Sequence, residues 1–302
     1  MSWESMVWGG LLGDAISLGP HWVYDPQEIA DKIGRPEKFH DPISPYHPGK
    51  KAGDLTHYGD QVLVLLGYLT ENKSFDLVSY AEAWKSFWEN PATISYRDGA
   101  TKATLANLSA GLPPEKAGAP SHDLAGASII APLFRVRWAD DAALLDACRK
   151  IVAFTHNDPE VIDAAEFFAR TALAVSRGKT IAESLDASGL SLKDGNLARW
   201  FAAAKGSARS GEDDSSVLGE FGLSCNIDGG FSGACHLLLK YPEDPFTALV
   251  ENAAAGGDSS SRGMPIGMIY GAAGLLGKLP AEWTTGLRCA DAVEKFIAAQ
   301  EA

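Results

Sequence analysis

Asp60 and Asp258 are the two residues whose setting suggests chemistry. Each carboxylate directly follows glycine, in Tyr58-Gly59-Asp60 and in Gly256-Gly257-Asp258, and each stands at the start of a predicted helix. A carboxylate at a loop-to-helix junction can hold a divalent cation or a water molecule. It can equally be an ordinary helix cap. Other reactive side chains lie close by in sequence. His57, Tyr58 and Gln61 flank Asp60, and Ser259, Ser260, Ser261 and Arg262 follow Asp258. An arginine beside two carboxylates could neutralise them without a metal. The segment LGPHWVYD adds His21, Trp22 and Tyr24. The histidine can exchange protons near neutral pH, and the aromatic rings can stack on a flat ligand.

The elements that must position these groups read as helices. SYAEAWKSFWEN puts Tyr80, Ala83, Trp84, Phe87 and Trp88 on one face, and DDAALLDACRKIVAFTH and EVIDAAEFFARTALAVSRG repeat that spacing. Alternating strand patterns are almost absent. Gly/Pro loops such as HDPISPYHPGKKAGD separate the helices, with no composition break between them. The expectation is one all-α domain spanning 1–302. Gly263, Gly267 and Gly271 recur every four residues and so share a helix face, which predicts close helix packing.

The bulk numbers narrow the function. The 302-residue chain is 46% hydrophobic with a net charge of -13, which predicts a soluble protein that does not bind nucleic acid. The four cysteines form no CxxC pair, so neither a zinc ribbon nor a disulfide framework is indicated. The apolar N-terminus lacks a basic region and contains Asp14, which argues against a signal peptide or a membrane span. A cytoplasmic protein is expected.

Five motifs in order then resemble the ADP-ribosylglycohydrolase family: Gly13-Asp14-Ala15, Tyr58-Gly59-Asp60, the loop from Gly126 to Leu133, Thr155-His156 with Pro159, and Gly256-Gly257-Asp258. The resemblance runs from Gly9 to about Gly274. GDAISLGPHWVYD and GGDSSSRGM are similar to the branch containing the J-type lens crystallins. The resemblance implies an all-helical fold with a cleft for ADP-ribose. It also implies two magnesium ions, held by Thr-Asp-Asp and Asp-x-Asp-Thr in active members.

This sequence departs from both ligand motifs. Gly59 and Ser260 stand where two carboxylates would be, and Ser261 replaces a threonine. Two carboxylates cannot balance two dications, so a dinuclear magnesium centre is not expected. At most one Mg2+ is, with Asp60, Asp258 and Ser261 as ligands and Arg262 as a competing cation. Asp60 and Asp258 are the expected catalytic pair. His21, Trp22, Tyr24, Gln61, Gly126, Ala127, Ser128 and Arg262 are the expected substrate contacts, with the small residues at 126–128 admitting phosphate to backbone N–H groups. The expected activity is cleavage of a glycosidic bond in an ADP-ribosyl or related small-molecule substrate. The alternative is a crystallin-like member that has lost the chemistry.

Overall fold

The glycine stripe sets the centre of the molecule. The computed structural model describes residues 3–192 and 194–301. In it the helices Trp3–Leu18 and Ser259–Ala272 are buried along most of their length and cross in close contact. A Cβ on Gly9 would collide with Gly267 O, one on Gly13 with Gly263 O, and one on Gly271 with Ser5 O. Residues 5, 9 and 13 thus oppose 271, 267 and 263, so the helices run antiparallel. Ser17 Oγ extends the series by donating to Ser259 O at 3.2 Å. This register brings the end of the first helix to the start of the second, and so sets Asp14 and Ser17 beside Asp258–Ser261. Since neither backbone can retreat, Gly267→Ala should lower stability by about 3 kcal/mol or more. Gly206 also lies in a helix, but a Cβ added there would meet nothing within 4 Å. Gly206→Ala should be neutral or stabilising by up to about 1 kcal/mol. Urea denaturation of the two variants makes the comparison.

The described residues form sixteen α-helices and three short 3-10 helices joined by loops, with only two isolated bridges, Ala119–His156 and Asp123–Asn226. The helices Pro159–Ser176, Ile227–Lys240 and Pro245–Ala254 pack on the Ser259–Ala272 helix. His57–Asn72 packs between Leu77–Glu89 and Ala290–Glu301. Tyr80, Trp84 and Trp88 are fully buried, as their spacing predicts. No described helix is long and apolar enough to cross a membrane.

Away from the site, Asp214 ties two helices together. It accepts hydrogen bonds from Lys240 Nζ at 2.8 Å and Tyr241 Oη at 2.6 Å, and pairs with His236 Nε2 at 2.8 Å. Burial pushes its pKa up, but His236, Lys240 and Tyr241 together hold it down at about 2. A depressed folded-state pKa stabilises above the ordinary value of 3.8, and that stabilisation is lost as pH falls toward 2. Asp214→Asn should therefore cost about 1–2 kcal/mol at pH 7, with the gap to wild type closing between pH 4 and 2. Denaturant melts across that range read it directly.

Candidate functional site

Asp258 is not an ordinary helix cap. It precedes the Ser259–Ala272 helix, but its side chain accepts no capping hydrogen bond. The two glycines before it have positive φ, 70° and 60°, and leave no room for a Cβ against Val23 O and Leu223 O. Gly257 N donates to Val23 O at 2.7 Å, and the Gly257 carbonyl accepts from Trp22 N at 2.7 Å. This lacing turns the Asp258 carboxylate inward, where it is fully buried. Its Oδ2 receives a long 3.4 Å hydrogen bond from Tyr58 Oη. Its Oδ1 has no hydrogen-bond partner among the described residues and faces His21 Nε2 at 3.5 Å. Burial raises its pKa to about 6, opposed by Ser261 and Arg262.

Asp60 does not cap its helix either. Thr56 is the cap, its hydroxyl accepting from Tyr58 N at 3.2 Å. Asp60 lies one turn in, and Lys50 Nζ donates to both of its oxygens at 2.8 Å. Both partners are largely buried, with side-chain exposures of 13% for Lys50 and 8% for Asp60. Burial pushes the Asp60 pKa up while Lys50 pulls it back.

Asp14 occupies the space between the two helix starts. Its Oδ2 accepts from Thr56 N at 2.7 Å, and its Oδ1 from Thr56 Oγ1 at 2.6 Å and from Ser260 Oγ. A Cβ at position 59 would strike Asp14 Oδ2 and come within 2.7 Å of Leu55 Cβ. Gly59 and Ser260 thus both abut one buried carboxylate, and a further carboxylate at either position would crowd it with like charge.

Around Asp258 stands a wall of rings. His21 and Trp22 stack with centroids 4.7 Å apart. Trp22 also meets His47, His57, Tyr46 and Tyr96 at 5.1–5.4 Å. It holds φ at 61°, a strained backbone state for a non-glycine residue. Burial keeps His21 and His47 well below the ordinary histidine pKa, His47 at about 3. Tyr46, His47, Lys50, Tyr96 and Lys102 line an adjoining cavity of about 440 Å³. Asp60 and Lys50 line a second, of about 390 Å³.

The other expected contacts are placed differently. Gln61 points away from Asp60, accepting from Trp84 and Trp88 Nε1 and donating to Thr101 Oγ1 at 3.2 Å. Gly126, Ala127 and Ser128 form a buried 3-10 turn. A Cβ on Gly126 would press into His156, 2.5 Å from its Cγ. Ser128 Oγ donates to Ser261 O at 2.8 Å. Pro265 lacks the N–H that would otherwise fill that carbonyl, so Ser128 satisfies it. Ser261 Oγ donates to Asp258 O at 2.9 Å. Arg262, expected as a cation competing at the two aspartates, is buried, and its hydrogen-bond partners are neutral: Asn252 Oδ1 at 2.9 Å and Gly256 O at 2.6 Å. Its charge reaches Asp258 only through space. Tyr24 is 53% exposed at the rim.

Comparison with known proteins fits this arrangement. The family model for ADP-ribosylglycohydrolases matches residues 4–301. The chain belongs to the ADP-ribosylglycohydrolase family. It is 23% identical over 297 residues to crystallin J1A of Tripedalia cystophora, covering 93% of this chain and 90% of that protein. It is 22% identical to crystallin J1B of the same animal over 302 residues, with the same coverage. Its fold is similar to that of a solved ADP-ribosylglycohydrolase-related protein complex, with a TM-score of 0.74 and 19% identity, covering 99% of this chain and 96% of the other.

Family membership supports the glycohydrolase reading of the sequence, and the crystallin relatives are compatible with the non-catalytic alternative without favouring it. Sequence reasoning missed Lys50, Tyr46, His47 and Tyr96. The first three lie in HDPISPYHPGKKAGD, a loop dense in His, Tyr and Lys between prolines and glycines. Loops of that kind often carry function, which was the available signal.

Proposed function

We propose that this family member hydrolyses the glycosidic bond of an ADP-ribosyl or related ribosyl substrate without magnesium. The supporting observation is Asp258, a fully buried carboxylate that caps nothing and leaves Oδ1 unpartnered among the described residues. Such a group is costly to keep unless it meets a developing positive charge. In this reading the water oxygen bonds to the anomeric carbon as the bond to the leaving group breaks. Asp60 orients that water and takes its proton, Lys50 opposes the burial that raises the Asp60 pKa, and Asp258 faces the oxocarbenium-like ribose. Trp22 and Tyr96 offer stacking surfaces.

The oxygen donors do not fit magnesium, which prefers six oxygens in octahedral geometry. Lys50 takes both oxygens of Asp60 and brings a cation where a dication would sit, and Thr56 and Ser260 take those of Asp14, which leaves Asp258 Oδ1 as the open oxygen of the three aspartates. The expected single ion on Asp60, Asp258 and Ser261 is therefore not carried into the reaction. Asp258 is fully buried behind His21, on which Trp22 stacks, and Trp22 in turn meets Tyr46 and Tyr96 of the 440 Å³ cavity, so in this reading these rings must move for substrate to reach Asp258. The full burial of Asp258, together with the Lys50–Asp60 pair, is the observation favouring the second reading, a non-catalytic member with a retired centre. The test is release of ADP-ribose from ADP-ribosyl N- and O-glycosides by the purified chain. Turnover supports the first reading, and ADP-ribose binding without turnover supports the second.

A further inference from the structure

We propose that His21, His47 and His57 form a site for one borderline divalent transition ion, of the zinc or cobalt(II) class. One ring nitrogen from each lies within 4.8 Å of those of the other two, and all three residues are buried. His47 Nε2 and His57 Nδ1 are 3.2 Å apart. That is about the edge of a tetrahedron with metal–nitrogen bonds of ~2.0–2.1 Å. Two of the rings are backed by acids. His57 Nε2 faces Asp98 Oδ2 at 3.6 Å, and His21 Nε2 faces Asp258 Oδ1 at 3.5 Å. Both contacts are longer than a hydrogen bond; closed to hydrogen-bond length, a carboxylate behind one imidazole nitrogen would keep the proton there and leave the other lone pair for a metal. On His21 the competitor for that lone pair is a long contact, from Ser260 N–H at 3.4 Å. His47 Nδ1 has no partner among the described residues. Asp98 is itself fixed, accepting from Thr101 N at 2.6 Å.

A nitrogen-rich donor set selects zinc, cobalt, nickel or copper over magnesium. His47 also lines the 440 Å³ cavity, which gives an ion a way in. The other candidate group, His122 with Asp158 and Glu160, offers two different nitrogens of one ring to two acids, at 3.2 Å and 3.4 Å. That group is less buried and holds a single imidazole already paired to both acids, a poorer match to a nitrogen-seeking ion, so it serves as the control.

The test is zinc titration of chelator-stripped, dialysed full-length protein by calorimetry, followed by cobalt(II) absorption. Metal affinity is read without turnover, so its failure is separate from failure of the hydrolase reading. About one equivalent should bind with Kd of ~1 μM or tighter, undisturbed by millimolar magnesium. His47→Ala should weaken binding at least ~100-fold, and Asp98→Asn by ~10–100-fold. His122→Ala should change nothing. Zinc-edge anomalous diffraction of wild-type crystals locates the ion whether or not the variants fold. A peak among the three imidazoles is the expected result. No binding, a peak at His122, or full affinity in a folded His47→Ala protein would overturn the site.

Discussion

Asp258→Asn should lower kcat for ADP-ribosyl hydrolysis by about 10²–10³-fold, because it removes the one ionisable group aimed at the ribose. Asn matches Asp in size, so the lacing of Gly256 and Gly257 through Val23 and Leu223 should survive. KM should change little, since the lost interaction belongs to the transition state. Asp60→Asn should cost about 10²–10⁴-fold through loss of the base. The double variant should be little worse than the weaker single one, because both groups serve one step. A purely structural Asp258 would give a different pattern, with altered melting and unchanged kcat in the folded fraction.

Lys50→Met should be the most damaging single change to the surroundings of Asp60. It leaves a buried carboxylate without its cation, and breaking such a pair should cost about 2–4 kcal/mol at this degree of exposure. Lys50→Met combined with Asp60→Asn should recover most of that loss, since no uncompensated charge remains. The single variant should also acquire affinity for manganese, because Asp60 regains two free oxygens. Parallel denaturation and calorimetry on wild type and the two variants settle both points. Equal stability of wild type and Lys50→Met would mean that the ion pair is broken in solution.

The helical fold is legible in the sequence because its signals are local. Tyr80, Trp84 and Trp88 recur at helical spacing and are buried, and the glycine stripe at 263, 267 and 271 reports a backbone contact that only glycine permits. Asp60 and Asp258 stand out for the same reason, as single carboxylates after glycine at helix starts. What cannot be read depends on where the chain closes in space. Lys50 sits ten residues before Asp60 in a loop with no period, so nothing in the sequence aims its ammonium at that carboxylate. The imidazoles of His47 and His57 meet only because that loop folds back over the helix start. Gln61 follows Asp60 directly, but one step along a helix turns it about 100° toward Trp84 and Trp88. Ser128 reads as part of a phosphate loop, but its hydroxyl fills a carbonyl left open by a proline 137 positions later. Arg262 reads as the counter-charge for both aspartates, whereas Asn252 and the Gly256 carbonyl hold its guanidinium.

Release of free ADP-ribose from a panel of ADP-ribosyl N- and O-glycosides, followed by chromatography with and without millimolar magnesium, bears most directly on the proposed activity. The expected result is turnover by the wild-type chain that magnesium leaves unchanged and that Asp258→Asn lowers at least ~100-fold. A wild-type chain that binds ADP-ribose but releases none from any glycoside, or that turns over only when magnesium is added, would contradict a metal-independent carboxylate pair at this site.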